Sequence, residues 1–254
     1  RSWIMAALGA CAKLGIEKGP GRRIGFDVAD SGDDQNALCL MEGIEAASLD
    51  EWKGGEDELL KSAGRVHKAA REAGDVLLTV RDEAGAVIDY DSIGVGAFAG
   101  AHFAALNEEF GARLEYHRFN ASDGVINPEV RVDADDPKSP VNKDYYANLK
   151  AQTWWDVARR FRNTFNAVTK GMAYAVEDLI SISPDCPHVD RLIDELSTPR
   201  RDFDNAGRVK VESKKDLGKR KIASPNLADA FVMANAPREK AAVAQIFLKS
   251  RQRT

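Results

Sequence analysis

The sequence has few of the residues that build zinc sites and disulfide frameworks. It contains three cysteines and four histidines in 254 residues. The cysteines form no CxxC pair and the histidines lack ligand spacing, so neither a zinc site nor a disulfide framework is expected. This cysteine usage fits a reducing compartment, and Cys39, inside the apolar segment ALCLM, is expected to be a small buried side chain.

Nucleotide-binding and membrane motifs are also missing. No GxxxxGK[ST] segment occurs, which argues against an ATPase of the P-loop type. The stretch GVGAFAG does not match GxGxxG and follows an acidic residue, so a dinucleotide site is not expected. No apolar run approaches the roughly 20 residues of a membrane helix, and no signal peptide is visible.

The overall charge gives a weak guide to function. The formal net charge is −4 and the pI is near 5.7, which argues against a uniformly basic nucleic-acid binder. A nucleic-acid enzyme stays possible, because clustered acids that bind divalent cations lower the formal charge. Basic residues are concentrated at 158–162 and 208–221, where charge alone favours solvated faces. The length fits one large domain or two small ones.

Hydrophobic periodicity predicts a chain of mixed strands and helices. We expect strands at RRIGFDVA, NALCLMEG, IEAASLDEW, AVIDYD and RLEYHRF, and helices at 56–74, 97–111, 145–168 and 224–234. A long loop is predicted at 120–143, a further helix near VEDLI, and a basic turn at KKDLGKR. This order predicts a mixed α/β sheet flanked by helices, with the first strand central and the AVIDYD strand beside it.

Three acids stand at the ends of apolar segments in this pattern. They are Asp27 in IGFDVADSGDD, Asp91 in VIDYDSIGVG and Asp229 in SPNLADAFVMA. An uncompensated carboxylate among apolar residues costs several kcal/mol, so such residues usually have a partner or bind a cation. Asp27 and Asp91 are predicted on adjacent strands, and Asp229 in the first turn of a later helix.

We interpret the three acids as one site for divalent cations. Mg²⁺ and Mn²⁺ prefer hard oxygen ligands, and two such ions about 3.5–4 Å apart can activate water and neutralise a leaving oxygen in phosphodiester cleavage. Asp27 would bridge the ions, with Asp91 and Asp229 flanking. Each acid taken alone also fits a structural role, as a turn residue or as an acid in the first turn of a helix. Asp89 shares a strand face with Asp91, which is preferred because it is nearest the turn.

The motifs GFDVADSGDDQNAL, DSIGVG, YYANLKAQTWWDVARRF and VESKKDLGKRKIASPNLADAFVMA together resemble the C-terminal nuclease domain of tailed-phage terminase large subunits. They run in that family's order across most of residues 20–236. The resemblance implies an RNase H-like fold, a mixed central sheet with helices on both faces, and a two-metal endonuclease that cuts concatemeric viral DNA. It implies two Mg²⁺ or Mn²⁺ ions as cofactors.

The resemblance also assigns residues and segments. It matches Asp27, Asp91 and Asp229 to the catalytic acids and Asp34 to a further acid of the first motif. Asp33 is not matched by the resemblance; it is a weaker metal-ligand candidate because it lies near Asp27, and a solvated turn residue is the alternative. DNA contacts are implied for the basic segment, taken as a hairpin, that contains Lys214, Lys215, Lys219 and Arg220. Residues 1–20 are expected to be a linker or remnant of an absent N-terminal ATPase part, 21–236 the nuclease domain, and 237–254 a helical, basic tail.

Partners and alternatives follow from the same resemblance. It implies binding to double-stranded DNA, to the ATPase domain, to a small terminase subunit and to the portal or procapsid, in the cytoplasm of an infected bacterium and without a membrane. Two other interpretations remain open at this point. The chain could be another RNase H-like nuclease of the resolvase or transposase type, or a docking module that grips DNA or the portal without cutting.

Overall fold

A six-stranded mixed sheet forms the centre of the described protein. The computed structural model describes residues 1–29, 34–54, 58–74, 85–134 and 136–238. Within these ranges the strand order is β5-β4-β1-β2-β3-β6. The strands are β1 (Arg22–Asp27), β2 (Gln35–Glu42), β3 (Glu45–Lys53), β4 (Val87–Asp91), β5 (Tyr116–Phe119) and β6 (Ser181–Ile182).

Helices precede, connect and follow these strands. They are α1 (Ser2–Ala7), α2 (Ala10–Leu14), α3 (Leu59–Gly74), α4 (Ala99–Phe110), α5 (Asn142–Tyr145), α6 (Leu149–Lys170), α7 (Val189–Ser197), α8 (Lys214–Lys219) and α9 (Asn226–Ala234). A separate antiparallel hairpin consists of β7 (Arg201–Phe203) and β8 (Val209–Val211). Among the described residues, 3₁₀ turns lie at Gly94–Phe98 and Val176–Asp178.

The strand pairing has the predicted central strand. β1 is antiparallel to β2, and β2 to β3, as expected for consecutive hairpins. After the α3 crossover, β4 pairs with β1 in parallel, and β5 pairs with β4 in parallel. The fold class is confirmed: a mixed sheet with helices on both faces.

Each face of the sheet has its own apolar core. One core joins α1, α6, α7 and α9 to β2 and β3 and includes the fully buried Phe231. The other packs α3 and α4 against β1 and β4 and includes the fully buried Phe103. Burying a side chain of this size stabilises the fold by about 1.5–3 kcal/mol. The two cores hold the sheet rigidly between its helices.

Two predicted local structures are wrong. VEDLI forms a 3₁₀ turn and then leads into β6, because its last apolar residues are buried beside β3 and Ser181 pairs with Glu45. KKDLGKR forms the helix α8 rather than a turn, because Ser213 caps it by accepting a hydrogen bond from the Asp216 N–H. The basic segment therefore follows the β7–β8 hairpin and is not itself a hairpin.

The described residues of 120–141 form no helix and no strand, as predicted, whereas the last two residues of the predicted loop begin α5. This segment is tied to α6. The side chain of Gln152 exchanges two hydrogen bonds with the backbone of Ile126, and Asn142 donates to the carbonyl of Asn127. An isolated bridge joins Arg131 to Val141. These contacts hold the loop against the start of α6.

The chain ends have unequal amounts of structure. α1 packs on α6, and Ile4 and Ala7 belong to the core, so this part of residues 1–20 is integrated into the fold. Its assignment as a linker or remnant stays a prediction. Of the predicted tail, only 237 and 238 lie within the described residues. No helix in the described ranges is both long and apolar enough to cross a membrane.

Candidate functional site

Two of the three predicted acids lie at the ends of adjacent parallel strands. Asp27 is the last residue of β1, and Asp91 is the last residue of β4. Phe26 pairs with Tyr90, so the next residue on each strand is an aspartate. Asp27 is buried at 3% exposure and Asp91 is half-buried. The parallel register therefore brings the two carboxylates to one edge of the sheet.

The third acid is delivered by α9. Asp229 lies in the first turn of this helix and is 7% exposed. α9 crosses β1 so closely that a Cβ on Gly25 would stand 1.8 Å from the carbonyl oxygen of Ala230. Only glycine permits this approach of helix to strand. Gly25 thus allows α9 to bring Asp229 to the end of β1.

The three acids line one cavity of about 320 Å³. Lys150 from the first turn of α6 and Lys214 from the start of α8 also line it. Asp34, which is exposed, stands at the same cavity. Asp33 lies outside the described residues. The predicted convergence of Asp27, Asp91 and Asp229 is thus present in the structure.

Lys214 occupies the space between two of the acids. Its Nζ lies 3.6 Å from Oδ2 of Asp27 and 3.5 Å from Oδ2 of Asp229. Burial opposes the charged form of this lysine, but the surrounding carboxylates, led by Asp27 and Asp229, outweigh burial and raise its pKa. Lys214 is therefore a cation held by the acidic cluster, with 45% of its side chain still exposed.

Lys150 contacts Asp229 from the opposite side. Its Nζ donates a hydrogen bond of 2.7 Å to Oδ1 of Asp229, and it lies 5.6 Å from the ring centroid of Trp154. Its side chain is 23% exposed, half the exposure of Lys214. Each oxygen of Asp229 is therefore engaged by a different lysine.

Burial and the charge of neighbouring carboxylates raise the pKa values of Asp27 and Asp91. Burial, followed by the charge of Asp229, holds the pKa of Asp27 well above its ordinary value. Burial also raises the pKa of Asp91, against a hydrogen bond of 3.0 Å that its Oδ1 accepts from the Ile93 N–H. The ionised cluster is costly unless positive charge is nearby, and two lysines supply part of that charge.

The chemistry of this donor set fits hard divalent cations. Three carboxylates surround a cavity, and oxygen ligands are those that Mg²⁺, Mn²⁺ and Ca²⁺ prefer. As the side chains stand, no three acids, histidines or cysteines among the described residues are arranged to hold a metal ion. Lys214 stands between Asp27 and Asp229, where a divalent cation would compete with its ammonium group for these carboxylates.

Asp89 has a different environment from Asp91. Its carboxylate accepts hydrogen bonds from Arg23 at 2.8 Å and from Arg238 at 3.0 Å, and the residue is 5% exposed. Arg23 also donates to the carbonyl of Ala236, just beyond α9. Asp89 therefore joins the sheet to the end of α9 and does not line the cavity.

The predicted DNA-binding lysines and arginine have mixed surroundings. Lys219 forms an ion pair with Asp216 at 2.6 Å, and Arg220 pairs with Glu212. Lys215 is exposed on α8. Lys214 points into the acidic cavity. A direct DNA contact stays a prediction for each of these four basic residues.

Comparison with solved structures identifies the fold. The nuclease domain of the large terminase subunit gp2 of bacterial virus Sf6 superimposes with a TM-score of 0.80, covering 93% of this chain and 97% of that one at 23% identity. The fold is that of the gp2 nuclease domain. Lysine-to-alanine mutants of gp2, solved with manganese and beta-thujaplicinol or with calcium, match equally at 23% and 22% identity over the same shares of the chains. No protein-family model matches the sequence, nor does any curated protein.

Lys150 is the cavity residue that sequence reasoning missed. It lies in the first turn of α6, where the positive end of the helix dipole disfavours a cation. A lysine at the unfavourable end of a strongly predicted helix is a signal of a nearby acidic partner. Its partner, Asp229, is on another helix, and the sequence alone does not indicate that these two helices meet.

Proposed function

We propose that this chain is the metal-dependent endonuclease domain of a viral DNA-packaging terminase. The observation that carries the proposal is the meeting of Asp27, Asp91 and Asp229 in one cavity of a gp2-like fold. The gp2 nuclease domain has been solved with manganese and with calcium, which supports divalent cations as cofactors here. Two ions, Mg²⁺ or Mn²⁺, would serve the reaction.

The residues have distinct roles in this proposal. Asp27, the most buried of the three and at the end of β1, would be the central metal ligand, with Asp91 and Asp229 as the flanking ligands. Two divalent ions supply an activated water and neutralise the charge on the leaving oxygen of a phosphodiester. Asp34, at the cavity edge, would hold water or a second ligand position, and Asp33 keeps the same lower-ranked role.

Lys214 would balance the cluster when no divalent cation is present. Its ammonium is 3.5–3.6 Å from two of the acids, and its side chain begins at the exposed start of α8. It can therefore turn outward without disturbing the core. This explains how closely spaced carboxylates remain compatible with a stable fold before metal binds.

The biological setting belongs to the proposal as well. The substrate would be concatemeric double-stranded DNA, cut in the cytoplasm of an infected bacterium while the protein is docked on a procapsid. An ATPase domain, a small terminase subunit and the portal would be its partners in the motor.

The test is cleavage of supercoiled plasmid by the purified chain with Mn²⁺ or Mg²⁺, compared with EDTA. Asp27→Asn, Asp91→Asn and Asp229→Asn are each expected to lower the rate at least a hundredfold. Asp190→Asn is the matched control, because Asp190 is an exposed first-turn acid of α7 outside the cavity. It should cut as the wild type does. A four-way junction as second substrate separates a resolvase, which would prefer the junction.

Stability measurements show whether the variants remain folded. The pKa of Asp91 is raised in the folded state, so folding binds protons and stability falls as pH rises through the folded pKa. Asp91→Asn should therefore keep or raise the melting temperature at pH 8. Wild-type protein that leaves plasmid intact at millimolar metal, or an Asp91→Asn protein that cuts normally, contradicts the proposed function.

A further inference from the structure

The two lysines of the cavity are held in different ways. Lys214 lies between Asp27 and Asp229, in the space that a shared divalent cation would need. Lys150 lies outside that space, on the other oxygen of Asp229, and its Nζ lies 5.6 Å from the centroid of the Trp154 ring. A cation held by Asp27 and Asp229 would therefore compete with Lys214, whereas Lys150 would stay at the cavity wall.

The ammonium of Lys150 depends on Asp229 for its charge partner. Their 2.7 Å contact is the ion pair that Lys150 makes in the described part of the chain. When Asp229 shares its charge with a divalent cation, its attraction for Lys150 weakens, and the cation and ammonium repel one another. A half-buried ammonium without an anion is costly, so another anion is favoured there.

The backbone at this end of α6 does not offer an anion site of its own. The N–H groups of Leu149 and Lys150 donate to the carbonyls of Asp123 and Ala121. Those of Ala151 and Gln152 donate to Asn148. The first-turn amides are thus already bonded within the protein, and the side chain of Lys150 is the donor that α6 turns toward the cavity.

We infer that Lys150 is a metal-gated phosphate contact: it is masked by Asp229 in the metal-free protein and binds a phosphate oxygen of DNA once a divalent cation engages Asp229. The inference rests on the proposed function, because the anion is taken to be a DNA phosphate. It assigns Lys150 to substrate binding beside the acids. It also makes tight DNA binding at the cavity conditional on metal.

The experiment measures DNA binding without using cleavage as the readout. Fluorescence anisotropy with a labelled 20-base-pair duplex gives affinity in EDTA and in Ca²⁺ at several salt concentrations, with a gel to check that the DNA stays intact. The variants are Lys150→Met, which removes the charge, and Lys150→Arg, which keeps it. Lys170→Met, at the exposed opposite end of α6, is the matched control.

The expected results differ between the two conditions. In EDTA, Lys150→Met should bind DNA as the wild type does, because Asp229 already neutralises Lys150. In Ca²⁺ the wild type should bind more tightly, and Lys150→Met should lose about tenfold of that affinity, the lower end for a hydrogen bond between charged groups. For Lys150→Met, the slope of log affinity against log salt concentration should become shallower by the amount expected for about one phosphate contact. Lys150→Arg should retain most of the gain, and Lys170→Met all of it.

Two outcomes overturn the inference. One is a Lys150→Met protein that binds DNA like the wild type in Ca²⁺. The other is an equal loss in EDTA and in Ca²⁺, which would mark an ordinary, ungated contact. Calorimetric titration of Ca²⁺ and Mn²⁺ without DNA separates this failure from that of the proposed function. If the wild type binds neither metal, the proposed function itself fails.

Discussion

Replacing Gly25 by alanine should separate α9 from the sheet. A Cβ at this position would lie 1.8 Å from the carbonyl oxygen of Ala230 and 2.6 Å from the N–H nitrogen of Ala234. Both are backbone atoms of one helix, so no side-chain rotation can relieve the overlap. α9 must move outward, and Asp229 moves with it.

The size of the effect follows from the cost of overpacking. Inserting a methyl group into a well-packed core costs about 1–3 kcal/mol, and a backbone clash belongs at the upper end, about 3 kcal/mol. For a chain of this size each kcal/mol lowers the melting temperature by about 2–4 °C. Gly25→Ala should therefore unfold about 6–12 °C below the wild type. Plasmid cleavage should also fall at temperatures where the variant is still folded.

Gly64→Ala provides the matched control. Gly64 lies within α3, and a Cβ there would meet no atom within 4 Å. Alanine is favoured over glycine inside a helix by about 1 kcal/mol, so this variant should melt slightly above the wild type. Calorimetry or circular dichroism measures both. If Gly25→Ala melts within 2 °C of the wild type, the close packing of α9 on β1 is not what holds Asp229 in place.

Three further predictions concern side chains that do not line the cavity. Asp89→Asn should lower the free energy of unfolding by about 3 kcal/mol in a urea titration, because Arg23 loses a buried partner. Mn²⁺ binding, measured by calorimetry, should stay unchanged. Weakened Mn²⁺ binding at full stability would contradict the structural role of Asp89. Burial lowers the pKa of His67, so the unfolded chain binds its proton first and stability should fall as pH drops below about 6.5. The difference in melting temperature between pH 7.5 and 5.5 should shrink in His67→Gln, and an unchanged difference would count against it. Burial raises the pKa of Cys186 to about 11, so native protein should react slowly with a thiol reagent and the three cysteines should react after denaturation; rapid native labelling would show that the thiol is accessible.

Most of the fold could be predicted from local patterns in the sequence. Apolar segments around Phe26 and Tyr90 predicted two strands, and the crossover helix between them predicted that the two strands lie side by side. Both are confirmed. The predictions for VEDLI and KKDLGKR were wrong because these structures depend on neighbouring residues. The end of VEDLI leads into β6, which pairs with β3, and Ser213 caps a helix in KKDLGKR.

The candidate site, like the fold, could be predicted only in part. Asp27, Asp91 and Asp229 could be proposed because an acid at the end of an apolar segment is a local feature. Lys150 could not, because its partner lies on a helix far along the chain, and only the packing of α6 and α9 brings the two together. The ion pairs of a cavity are a tertiary property, and their charge balance depends on which helices meet.

The positions of the three acids along the chain have a consequence for the order in which the site forms during synthesis. Asp27 and Asp91 belong to strands near the start of the chain, whereas Asp229 lies near the end of the described residues. During synthesis β1 to β4 leave the ribosome well before α9, and contacts between distant segments form late in folding. A nascent chain therefore carries two of the three carboxylates without the third and without Lys214. The complete cavity exists only after α9 has docked, so an unfinished or truncated product should lack the nuclease activity that is proposed for the finished chain.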